Sequence, residues 1–95
     1  MIAPQAMVEE FHRKFEIAVS DRPSLPEEAT RHLRVRLIQE EFEELQEAMA
    51  AQDLPGVAKE LADLLYVVYG TAVSYGVDMD PVFREVHRSN LSKVG

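Results

Sequence analysis

The sequence predicts an all-α protein, four helices in an up-and-down bundle that assembles as a dimer or higher oligomer. Three observations carry this. Apolar residues recur at helical spacing, and no stretch alternates with the period of a strand. The interruptions are short and hold the breakers Pro23, Pro55, Gly56, Gly76 and Pro81. Finally, no charged residue occurs from Leu64 to Val77, so one helix is apolar on nearly every side, the mark of a buried element. Three short neighbours cannot cover that much apolar surface, so a symmetric assembly packed through the third helix is expected.

The first helix is expected over residues 3–19, where Met7, Val8, Phe11, Phe15 and Ala18 share a face and His12 and Lys14 lie beside it. Ser20–Pro23 form a connection. The second helix is expected over 25–51. Ser24 and Glu27 fit a capping box, and Pro26 is tolerated in the first turn. Its apolar stripe runs through Ile38, Phe42, Leu45 and Met49. Leu37, Glu41, Glu44 and Ala48 make the adjacent row, while Glu40, Glu43 and Glu47 lean towards solvent. Gln52–Gly56 is a short helix–helix connection in which Asp53 can cap the third helix. That helix runs to about Tyr75, with Gly76 placed to end it in the left-handed conformation. Asp80 and Pro81 read as the cap and first residue of a fourth helix over about 81–90. It carries Val82, Phe83 and Val86, with Arg84, His87, Arg88 and Asn90 as its polar set and Lys93 just beyond.

Length and composition narrow the functional classes. A chain of 95 residues makes one small domain, expected to span residues 1–95. A net charge of −7 and a pI near 4.8 argue against a nucleic-acid partner, whose footprint would be basic. No stretch reaches the uncharged length of a membrane span, and no basic region followed by an apolar run marks a signal peptide. The absence of cysteine removes disulfide and thiolate–metal explanations and suits a cytoplasmic location, which is the expectation.

The chemistry is expected where the second and third helices meet. Glu41-x-x-Glu44 and Glu60-x-x-Asp63 each place two carboxylates on one helical face. Glu41 and Asp63, like Glu44 and Glu60, stand nearly symmetrically about the loop near residue 53. Antiparallel packing would therefore bring all four acids to one level of the bundle. Unpaired charge entering a core is costly, and four oxygen donors without cysteine favour Mg²⁺, or Mn²⁺, over zinc. Such a site suggests phosphate-ester chemistry. The plainer alternative is a solvated acidic face. A di-iron carboxylate bundle would need Glu-x-x-His twice, and only Glu9-x-x-His12 fits.

The residues resemble the MazG-like all-α nucleoside triphosphate pyrophosphohydrolase superfamily, which includes phosphoribosyl-ATP pyrophosphohydrolase. The resemblance lies in Glu41-x-x-Glu44 followed by Glu60-x-x-Asp63-Leu-Leu, in Glu10-Phe-His-Arg13, in the run from Glu60 to Gly70, and in Val82 to Lys93. These segments are similar to a branch whose members include dUTP pyrophosphohydrolases. The resemblance implies hydrolysis between the α and β phosphates of a nucleoside triphosphate, with dUTP the first candidate, giving a monophosphate and pyrophosphate in nucleotide-pool house-cleaning. It implies that Glu41, Glu44, Glu60 and Asp63 hold Mg²⁺, that Glu40 or Glu41 orients or deprotonates the attacking water, and that Asn90 and Lys93 reach the phosphates.

His12, Arg34 and Arg88 join the candidate substrate-binding residues, each beside a plainer reading. His12 packs between helices or touches a base. Arg34, two turns from Glu41 on the same face, meets phosphates or belongs to an exposed basic turn in which Arg31 pairs with Glu27 or Glu28. Related chains in this branch usually continue past the Ser-Lys pair, whereas this sequence stops at Gly95, so part of the substrate lid is expected to be missing or supplied differently. The alternatives are a catalytically idle helical interaction module of the same fold and an activity like that of phosphoribosyl-ATP pyrophosphohydrolase.

Overall fold

The computed structural model describes residues 1–93 and, among these, contains four α-helices and no strand. They are α1 (Ala3–Lys14), α2 (Glu28–Ala50), α3 (Leu54–Tyr75) and α4 (Met79–Leu91). Helix α3 is central and packs against both α2 and α1. None of the described helices is long and apolar enough to cross a membrane. Expectations tied to the last residues, Val94 and Gly95, lie outside the described part.

The α2–α3 hairpin forms much as its sequence dictates. Gln52 turns the chain with a φ of 53°, and Asp53 caps α3 by accepting a hydrogen bond from the Gly56 amide at 3.1 Å. At the other end Gly76 takes a φ of 70° and returns its amide to the last turn. Any Cβ there would meet the Arg22 carbonyl, so the position needs glycine for space as well as for conformation.

Elsewhere tertiary contacts override local signals. Helix α1 ends at Lys14 rather than at residue 19, because Glu16 is left-handed (φ 56°) and the next residues are drawn onto α3. Ala18 O accepts from Ser74 Oγ at 2.9 Å and lies 3.0 Å from His12 Nδ1. The Ser24–Glu27 capping box does not form. Helix α2 starts at Glu28 without a side-chain cap, and the Ser24 amide bonds Tyr75 O at 2.9 Å instead. Helix α4 starts two residues early, capped by Asp78 rather than Asp80.

The buried apolar core is small: Val8, Leu45, Ala72 and Val73. Phe42 and Met49, expected in the α2 stripe, are half exposed; α2 turns Arg34, Leu37, Ile38, Glu41, Leu45 and Ala48 inward instead. Nor is α3 covered all round. Its buried residues cluster at Gly70, Ala72, Val73 and Ser74, while Leu61, Leu65, Tyr66 and Val68 remain open. Helix α4 has no buried residue and packs closely on no other described helix.

Candidate metal centre

Glu41 and Glu44 project from α2, and Glu60 and Asp63 from α3. One oxygen from each carboxylate lies within 4.8 Å of the others. The hairpin register explains this convergence, since nearly equal path lengths along two antiparallel helices reach the same depth. Glu41, Glu60 and Asp63 are partly buried, and Glu44 is at the rim.

The electrostatics show an acidic cluster short of counter-charge. Glu41 Oε2 and Glu60 Oε2 are buried without any hydrogen-bond partner, an arrangement that costs free energy unless something outside the chain satisfies it. A hydrogen bond that only the protonated carboxyl can donate to Glu60, and then the charge of Glu41 beside it, push Glu44 up to about 6. Within the chain the one cation paired to the cluster, among the described residues, is Lys59. Its Nζ lies 2.7 Å from Asp63 Oδ2 and 3.4 Å from Glu60 Oε1. The donor set is all carboxylate, partly open to solvent and unsatisfied at two buried oxygens. It fits a hard divalent cation such as Mg²⁺ or Mn²⁺.

The other candidates fall elsewhere. Glu40 is exposed and only loosely paired with Arg36 at 4.0 Å. Arg34 is neither exposed nor turned to the acids. It is 4% exposed, and its guanidinium donates to Thr71 Oγ1 at 3.2 Å and Val67 O at 2.9 Å on α3. Burial lowers its pKa, yet a guanidinium stays charged. Arg31 meets Pro26 O at 2.6 Å rather than Glu27 or Glu28.

His12 is likewise buried, which matches its packing reading. Desolvation lowers its pKa, opposed by the Ala18 carbonyl and aided by the charge of Arg34. Gly70 is what lets these side chains approach α3: a Cβ there would collide with Arg34 Nη2 and stand 2.9 Å from His12 Nε2. On α4, Arg88 pairs with Glu85 and Lys93 Nζ donates to Asn90 Oδ1 at 3.0 Å. The fold therefore gathers the four acids and leaves His12, Arg34, Arg88, Asn90 and Lys93 occupied in other contacts.

Sequence patterns assigned Lys59 no role. Its position four residues before Asp63 was the available signal, but helix-surface pairs of that spacing are common. Gly70 carried no local signal, because its importance comes from side chains on two other helices.

Compared with known proteins, residues 8–90 match the family model described as phosphoribosyl-ATP pyrophosphohydrolase. No curated protein matches the chain.

Proposed function

The chain belongs to the phosphoribosyl-ATP pyrophosphohydrolase family, and from that premise we propose that it is a Mg²⁺-dependent pyrophosphohydrolase of nucleotides. Membership supports the general activity, hydrolysis of a phosphoanhydride. The specific reading is cleavage between the α and β phosphates, releasing a nucleoside monophosphate, or a phosphoribosylated one, together with pyrophosphate. The observation that carries it is the set of four carboxylates within 4.8 Å, two of them with a buried oxygen that nothing in the chain satisfies. An idle helical module would have no reason to hold self-repelling charge in this way.

Glu41, Glu44, Glu60 and Asp63 would hold Mg²⁺, with Mn²⁺ as a substitute, and the ion supplies neutralisation of the charge that develops on the departing pyrophosphate. The chain's own task is to place water in line with the α phosphorus. Glu41 is better placed than Glu40 to orient that water or take its proton, because it belongs to the cluster whereas Glu40 stands outside it. The water oxygen bonds to the α phosphorus as the bond from that phosphorus to the bridging oxygen breaks. The bridging oxygen leaves with the pyrophosphate.

Two substrates remain in competition. The segments from Glu60 to Gly70 and from Val82 to Lys93 favour a nucleoside triphosphate such as dUTP in house-cleaning. The family match favours phosphoribosyl-ATP. A panel of nucleoside triphosphates and phosphoribosyl-ATP, assayed with Mg²⁺ for pyrophosphate and orthophosphate, separates them. Orthophosphate as the first product from every substrate would refute the reading.

The same reading includes a homodimer or higher oligomer. The protomer exposes 6986 Å², whereas a compact monomer of this mass exposes about 5,500 Å². The excess, about 1,400 Å² per copy, would make a dimer interface of about 2,800 Å², within the obligate range. Open apolar residues on α3 and α4, such as Leu65, Val68, Val82, Phe83 and Val86, supply such a surface. Assembly would also let Arg88, Asn90 and Lys93 of one copy reach the cluster of another. Sedimentation at micromolar concentration is expected to show no monomer; a monomer would refute this part.

A further inference from the structure

Lys59 stands on the carboxylates that a bound cation would need. Its ammonium bridges Asp63 Oδ2 and Glu60 Oε1, yet the side chain is 69% exposed. Two features set it apart from a routine helix-surface pair. Residues at i and i+1 do not face each other on a helix, so contact with Glu60 as well as Asp63 requires the side chain to lean over the cluster. In addition, a basic residue preceding an acid by four positions is the weaker orientation of such a pair, so helix pairing accounts for the Asp63 contact alone and only in part. The substitution for a cation is also incomplete, since Glu41 Oε2 and Glu60 Oε2 stay unpaired beside it. A divalent ion could satisfy what one ammonium cannot. Because most of the lysine side chain is in solvent, its ammonium can leave the carboxylates for water without disturbing the core.

We propose that Lys59 is a displaceable counter-ion, which neutralises part of the cluster while no metal is bound and is expelled when a divalent cation enters. It thereby sets the cation concentration at which the site loads. The proposal rests on the metal-site reading above, and the two can fail separately.

The test is Mn²⁺ binding to the full chain, followed by electron paramagnetic resonance or calorimetry, together with melting in EDTA. Lys59→Met is expected to bind Mn²⁺ about three- to tenfold more tightly than wild type at low salt, the range for removing one nearby exposed like charge. The gap should narrow as salt is added. The metal-free variant is expected to melt below wild type. Lys59→Arg should stay close to wild type in both measurements. Arg84→Gln, which changes net charge equally but lies on α4 paired with Asp80, should leave Mn²⁺ affinity unchanged. Equal affinity of Lys59→Met and wild type, or equal tightening in Arg84→Gln, would overturn the proposal while leaving the metal site standing. If wild type binds no Mn²⁺ that Glu41→Gln abolishes, the metal-site reading fails and takes the proposal with it.

Discussion

Between Gly70 and Ser74, α3 is packed against polar side chains that all have partners; around Glu60 and Asp63, the same helix meets α2 through carboxylates, two of which keep a buried oxygen without a partner. In the first region Arg34 is bonded to Val67 O and Thr71 Oγ1, His12 to Ala18 O and Ser74 to Ala18 O. Close by, Gln5 bonds Val77 O at 2.7 Å and the Met79 amide at 3.0 Å. In the second region two buried carboxylate oxygens have no partner, and four like charges share one small volume. The contrast separates two uses of buried polarity. Groups satisfied within the chain fix the mutual positions of α1, α2 and α3. Groups left unsatisfied leave room for a ligand from outside.

The sharpest way to break this contrast is to remove one acid. Glu41→Gln and Asp63→Asn are each expected to lower pyrophosphate release at least about a hundredfold, on the scale of losing one preorganised contact to developing charge. In EDTA the same variants should melt no lower than wild type, because repulsion is relieved. Unchanged turnover in both would remove the cluster from the chemistry.

Opposite behaviour is expected further along α3. Gly70→Ala forces a Cβ into Arg34 and His12, an overpacking that costs about 1–3 kcal/mol. That corresponds to a fall of roughly 4–8 °C in melting temperature per kcal/mol for a chain of this size. Arg34→Ala should cost about 2–3 kcal/mol, since it opens space and removes donors from α3. Chemical denaturation measures both, and a metal-independent loss of stability is the distinguishing sign. A variant at either position that melts like wild type would contradict the closed character of this region.

The smallest effect concerns pH. His12 has a folded pKa below its ordinary 6.5, chiefly through burial and with the Arg34 charge acting in the same direction. At this residue the unfolded chain therefore binds more protons than the folded one, whereas the raised Glu44 carboxyl acts with the opposite sign below about pH 6. The His12 contribution to stability should rise with pH up to about 6.5 and fall as pH drops from there towards the depressed folded value, by at most one proton's linkage. The facing groups are Arg34 from α2 and the uncharged Gly70 of α3. His12→Gln is expected to flatten that slope, and a slope unaltered by the substitution would place the proton uptake elsewhere.

The acid register was legible in the amino-acid sequence because it depends on two short-range regularities. Helical spacing puts Glu41 with Glu44 and Glu60 with Asp63, and the brief Gln52–Gly56 loop sets how the pairs oppose. Asp53 and Gly76 were legible for a similar reason, since a cap or a left-handed stop is decided within a few residues. Ser24 misled because its amide found a partner on α3, a competitor far away in sequence. Phe42 and Met49 misled because hydrophobicity shows that a residue seeks burial without showing which face a neighbour occupies.

By itself, then, the sequence determined four helices, their order, and the meeting of four carboxylates across one hairpin. The tertiary arrangement was needed to show that Arg34 and His12 converge on Gly70, that Lys59 leans over the acids, and that α4 buries none of its residues. The physical reason is range. Helix periodicity and turn chemistry act over a few residues, whereas the partner of a buried charge, or of an apolar face, is chosen among groups that the fold alone brings near.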